Sequence, residues 1–133
     1  WRSELVATAN FTEVGGEEAM RSLILAGVEF DAVFAGDDEA AAGALMAMRK
    51  HGLRVPDDVL LAGFDDSSMA RHLNPPLTTI RAPIETASYL AARYLVRIVR
   101  GEEVETNTQL PVELIVREST AGAVQSKDAS KTT

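Results

Sequence analysis

The sequence contains no cysteine. Disulfide cross-links, thiolate nucleophiles and thiolate-bound zinc are thereby excluded, and the absence fits a reducing compartment. Lysine is scarce: Lys50, Lys127 and Lys131 are the only three in 133 residues. The 13 basic side chains are scattered among 20 acidic ones, and the net charge is −7. Gripping nucleic acid requires clustered cations that displace counterions from phosphates, so this stretch is not built to hold DNA by itself. No apolar run reaches the ~18 residues needed to cross a bilayer. There is no G-x-S-x-G elbow, no H-E-x-x-H and no glycine-rich phosphate loop. His51 and His72 are isolated and read as surface residues at helix ends. The chain starts on Trp1 and carries no signal-peptide pattern, so it reads as a piece of something longer.

What is present is the composition of a soluble globular domain, 46% apolar and 25% charged. A chain of this length can bury about two-thirds of its unfolded surface. Leu5–Ala9 (LVATA) reads as a short strand. Thr12 is placed to cap a helix running to about Ala26, with Ala19, Met20, Leu23 and Ile24 on its buried face. Ala32–Ala35 (AVFA) shows no alternation and reads as a strand covered on both faces. A helix over 38–51 follows, then a loop at Val55–Asp58, a third strand at Val59–Phe64 and a turn after Ser67. Leu77–Arg81 is a β-branched strand, and Pro83 opens a helix with an apolar stripe of Ile84, Ala87, Ala91, Tyr94, Leu95 and Ile98. Leu110–Val116 is a strand, at an edge because Pro111 cannot donate to a ladder. From Ser119 to Thr133 the chain is small, polar and unpatterned, the signature of a disordered tail. The alternation implies an α/β fold: a mainly parallel sheet with helices on both faces.

Two apolar runs end on paired acids, in VFAGDDEAAAG (33–43) and LAGFDDS (61–67). In an open parallel sheet, ligands bind beyond the carboxyl ends of the strands. Asp37 and Asp65 stand just past two such ends, and Phe11 just past a third. Ionised carboxylates only accept hydrogen bonds. Two acceptors beside an aromatic face suit a polar, hydroxyl-bearing molecule such as a sugar, and an amine or a purine would also fit. Asp at a helix start is also a simple cap, which accounts better for Asp38 and Asp66 than for their neighbours. Strand-end acid pairs also hold Mg²⁺ in some phosphoryl-transfer proteins, but those sites need a strand-end lysine and none is placed here. Neither a metal nor another cofactor is expected.

The stretch EAAAGALMAMRKHG is apolar on several faces, which implies burial on several faces. Its small residues allow close approach. The expectation is a homodimer seam of Ala40, Ala44 and Ala47 with Met69 and Leu73 from the segment after the second acid pair.

These motifs resemble a family. GLRVPDDV, GFDD, NPPLTTIR and LPVELIVREST, in that order, are similar to the C-terminal part of transcription regulators of the lactose/galactose-repressor (LacI/GalR) family, from about Leu5 to Thr120. The resemblance implies one lobe of a fold like the periplasmic sugar-binding proteins (type I), incomplete here, with the first lobe absent. It implies a small effector, a carbohydrate by preference, held in an interlobe cleft by Phe11, Asp37 and Asp65. It implies a cytoplasmic homodimer that meets DNA only through an N-terminal helix-turn-helix outside this stretch, with no membrane partner. By the same resemblance, residues 1–118 belong to the effector-binding domain and 78–104 cross to the other lobe before the last strand returns. Asp37 departs from the family pattern, where Asn is common. A solute-binding protein of a sugar transporter, which shares the fold, is the alternative.

Overall fold

The computed structural model describes residues 2–105 and 107–121. They form α1 (Glu13–Leu25), β1 (Ala32–Phe34), α2 (Asp38–Lys50), β2 (Leu60–Phe64), β3 (Thr78–Arg81), α3 (Ile84–Val99), β4 (Glu113–Ile115) and a last helical turn, α4 (Glu118–Ala121). The sheet order is β1-β2-β3-β4. The first three strands are parallel, with Ala32 opposite Leu60 and Ala62 opposite Thr78. β4 closes the edge antiparallel to β3, with Ile80 opposite Leu114. The α/β class and the edge position of the last strand are as the sequence implies.

The core is small-residue packing of α2 against β2. Ala41, Met48, Leu61, Ala70 and Leu77 are wholly buried around it. α1 lies across α2 at backbone contact distance. A Cβ placed on Gly43 would sit 1.8 Å from the Glu13 carbonyl oxygen, and one on Gly16 would sit 2.2 Å from that of Ala40. Only glycine permits this approach, so Gly16, which weakens the start of α1 as a helix, is with Gly43 what lets it dock. Lys50 Nζ donates to Glu17 Oε1 across the same seam.

The docking of α1 overturns part of the expected dimer seam. Ala40, Ala44 and Ala47 are at most 5% exposed: the second apolar face of α2 is covered within the chain and offers nothing to a second copy. Met69 and Leu73 are half-buried, and Leu73 packs on the same core.

Four other expectations are corrected. Leu5–Ala9 is not a strand: Ser3–Leu5 makes a 3-10 turn and the residues after it pair with nothing in the sheet. A cavity of about 700 Å³ is lined by both Leu5–Ala9 and Ala32–Gly36, so short apolar composition alone did not secure a ladder partner. For the same reason β1 is an edge strand, and Phe34 is 63% exposed rather than covered on both faces. The segment leaving the sheet begins after Arg81, not at 78, because Thr78 and Thr79 are buried within it. The tail begins later than Ser119: its hydroxyl donates to the Leu61 carbonyl at 2.6 Å and accepts from Thr78 N–H at 2.8 Å, pinning α4 to the sheet. Residues 122–133 of the expected tail lie outside the described residues.

Among the described residues, no helix is long and apolar enough to cross a membrane. α3 contains no buried residue, and its stripe stands in the open, with Ile84, Leu95 and Ile98 each more than half exposed.

Candidate functional site

Three loops meet beyond the carboxyl ends of the parallel strands. The first precedes α1. Thr12 caps that helix, its Oγ1 accepting from Gly15 N–H at 3.0 Å, and Phe11 just before it takes φ 57° and stands 71% exposed. The second joins β1 to α2. Here Asp37, not Asp38, is the cap: its Oδ1 accepts from Ala40 N–H at 2.7 Å. The third follows β2 and carries Asp65 and Asp66. Phe11, Asp37 and Asp65 line one cavity of about 260 Å³, joined by Asp38, Glu39, Ser67, Ser68 and Met69. The three residues singled out in the sequence are therefore brought together. Met69, expected at a dimer seam, also lines this cavity.

The partners of each acid pair do different work, though not in the division the capping argument suggests. Asp37 both caps and lines the cavity. Asp38 is 1% exposed. Its Oδ1 accepts from Thr79 Oγ1 at 2.6 Å and its Oδ2 from Ser67 N–H at 2.7 Å, so it ties the start of α2 to β3 and to the loop after β2. Room for this carboxylate exists because position 63 is glycine, where a Cβ would lie 2.6 Å from Asp38 Oδ1. Asp66 does not cap either. Its side chain is 3% exposed and held between Arg81 and Arg117. Burial alone would raise its pKa; the hydrogen bonds from Arg117 and Arg81 outweigh that and keep it below the usual carboxylate range.

Asp65 is the exception. It is exposed, and its carboxylate has no hydrogen-bond or ionic partner among the described residues. Partial burial, then repulsion from Asp38 and Asp37, raises its carboxyl above the usual range. Its φ is 108° and that of Asp66 is 49°, a backbone held in sparsely populated space at roughly 1–3 kcal/mol per residue. A strained backbone thus presents an unpaired carboxylate toward the cavity. Ser67 is a second unpaired polar group there, its Oγ being buried without a partner among the described residues. Sequence reading missed Ser67, Ser68 and Glu39, whose only sign was adjacency to the acid pairs. Among the described residues, no group of three or more His, Cys, Asp or Glu side chains is arranged to hold a metal.

A mainly parallel sheet whose carboxyl-end loops meet around a polar cavity is the build of an α/β ligand-binding lobe. Residues 2–120 match the periplasmic binding protein-like domain. The chain is 41% identical over 116 residues to the HTH-type transcriptional regulator CelR of Thermobifida fusca, an alignment covering 86% of this chain and 34% of that regulator. Among solved structures it is similar to a CelR–cellobiose complex, with TM-score 0.82, 40% identity and coverage of 90% of this chain and 37% of that one. It is also similar to the lac repressor dimer bound to operator and an anti-inducer, with TM-score 0.77, 28% identity and coverage of 84% and 39%. The chain belongs to the periplasmic binding protein-like family and, within it, to the LacI/GalR-type transcriptional regulators. It spans about a third of the length of the regulator CelR.

Proposed function

We propose that this chain is the effector-sensing part of a DNA-binding repressor, and that its effector is a small polyhydroxylated molecule of the sugar class. The observation that carries the reading is the convergence of an exposed aromatic face, Phe11, with two carboxylates, Asp37 and Asp65, around one cavity. Hydroxyls of a sugar donate to the carboxylates while a CH face lies on the ring. The free carboxylate of Asp65 has no other function in the packing. The CelR structure bound to cellobiose supports a carbohydrate effector, and the operator-bound lac repressor dimer supports a homodimer that holds DNA through a separate domain. The net charge of −7 is consistent with that division, and such a regulator works in the cytoplasm. Ligand binding shifts an equilibrium between lobe arrangements, and DNA affinity changes by linkage.

Calorimetric titration of the intact regulator with cellobiose, ribose, galactose and maltose tests the reading. At least one sugar binds, and Asp65→Ala weakens that sugar by about 10- to 150-fold, the range for a charged hydrogen bond. Phe11→Ala costs about 1–3 kcal/mol if the ring is a stacking face. A sugar that binds both variants as it binds the parent would refute the assignment of the site.

A further inference from the structure

Asp66 receives two cations from two different segments of the chain. Arg81, at the end of β3, donates from Nε and Nη2 to Asp66 Oδ2 at 2.8 and 2.6 Å. Arg117, just past β4, donates from Nη2 to Oδ1 and from Nη1 to the Leu77 carbonyl at 2.7 Å. Arg81 also holds Glu113 of β4 at 2.9 Å. The carboxylate is thus the hub of β2, β3 and β4, one residue from the unpaired Asp65. Two forces act to move Asp65 off the rim: its own backbone, at φ 108°, and repulsion from Asp37 and Asp38. Opposing them are Asp65 N–H to the Ile80 carbonyl at 2.8 Å, a long bond from Asp66 N–H to Thr79 Oγ1 at 3.3 Å, and the two guanidinium groups on Asp66.

We propose that Asp66 is a positioning residue: clamped by Arg81 and Arg117, it holds Asp65 in its strained conformation on the cavity rim. The inference deepens the effector-site reading and rests on it for its functional meaning, but its test involves no effector. Release of the clamp lets the backbone relax and carries the Asp65 carboxylate away from Asp37 and Asp38.

The experiment is a carboxyl ¹³C NMR titration of Asp65 in the parent chain and in Arg117→Met, with Arg81→Met as the variant that decides if the first does not fold. Removing a cation by electrostatics alone raises the pKa of a neighbouring carboxyl or leaves it unchanged. Loss of positioning lowers it, because the repelling carboxylates are left behind. The expected result is an Asp65 that titrates above the ordinary range in the parent and falls back toward it in the variant. An unchanged or higher value in the folded variant, or a parent Asp65 already in the ordinary range, overturns the inference. Failure of the sugar titrations above with success here would instead remove the effector reading and leave the clamp standing.

Discussion

Thr79 Oγ1 donates to Asp38 Oδ1 at 2.6 Å, and neither residue is more than 1% exposed. A buried carboxylate persists only where its lone pairs are satisfied, and here one hydroxyl and one backbone N–H do that. Thr79→Val keeps the shape and removes the donor. The expected cost is about 1–3 kcal/mol, the penalty for a buried acceptor left unmade, read as a lower urea midpoint with an unchanged slope. A variant as stable as the parent would show that the hydroxyl is dispensable.

The backbone crossing of α1 and α2 makes a second prediction. Gly43→Ala drives a methyl against the Glu13 carbonyl, and the helices must separate. Overpacking of this kind costs about 1–3 kcal/mol, and circular dichroism melts would show it. If alanine is neutral at this position, the two helices are not packed this closely in solution.

Acid stability reports on the Asp66 clamp. Its folded pKa lies below the unfolded value, so its contribution is fully present above about pH 3.9 and is lost as pH falls through the lower folded value. Asp65 works in the opposite sense. Its folded pKa is raised, so stability declines as pH climbs from about 3.9 to that raised value and is level beyond it. Asp66→Asn should therefore be the weaker protein at neutral pH, with the two urea midpoints converging in strong acid. Curves that stay parallel down to pH 2 would contradict the pairing.

α3 predicts tolerance. Val99 is 80% exposed, and the helix buries nothing among the described residues. Val99→Lys in this chain should change unfolding free energy by less than about 0.5 kcal/mol. A larger loss, seen by chemical denaturation, would mean that the helix is packed against something in solution.

Much of this was legible in the sequence for reasons that are local. Thr12 before a helical pattern and Gly101 after one each act through their own backbone geometry, and each stands where that geometry requires; Pro111, expected inside the edge strand, lies two residues before it. The rim residues Asp37 and Asp65 were legible because strand order places the ends of parallel strands together; Phe11 was singled out from a strand that does not form, and it reaches the rim from the loop before α1. What was not legible depended on long-range partners. Asp37 and Asp38 are equally good caps by type, and only the presence of Thr79, 41 positions on, turns the second into a buried cross-link. Asp66 needed two arginines 15 and 51 positions away. Leu5–Ala9 has strand composition, but a strand also requires a neighbour. The apolar faces of α2 were read correctly as buried, yet the covering surface was α1, recognisable only from the way Gly16 and Gly43 meet it.

That glycine contact has a bearing on the rim. Phe11 sits at the head of α1 and Asp37 at the head of α2, and the two helices touch through backbone within a turn or so of those heads. The spacing between the two helix heads, and so between the backbones that carry the ring and the carboxylate, is thus gauged by main-chain contact. Recognition at this rim would accordingly vary among related proteins through the identity of the side chains there, while the width of the gap stays the same.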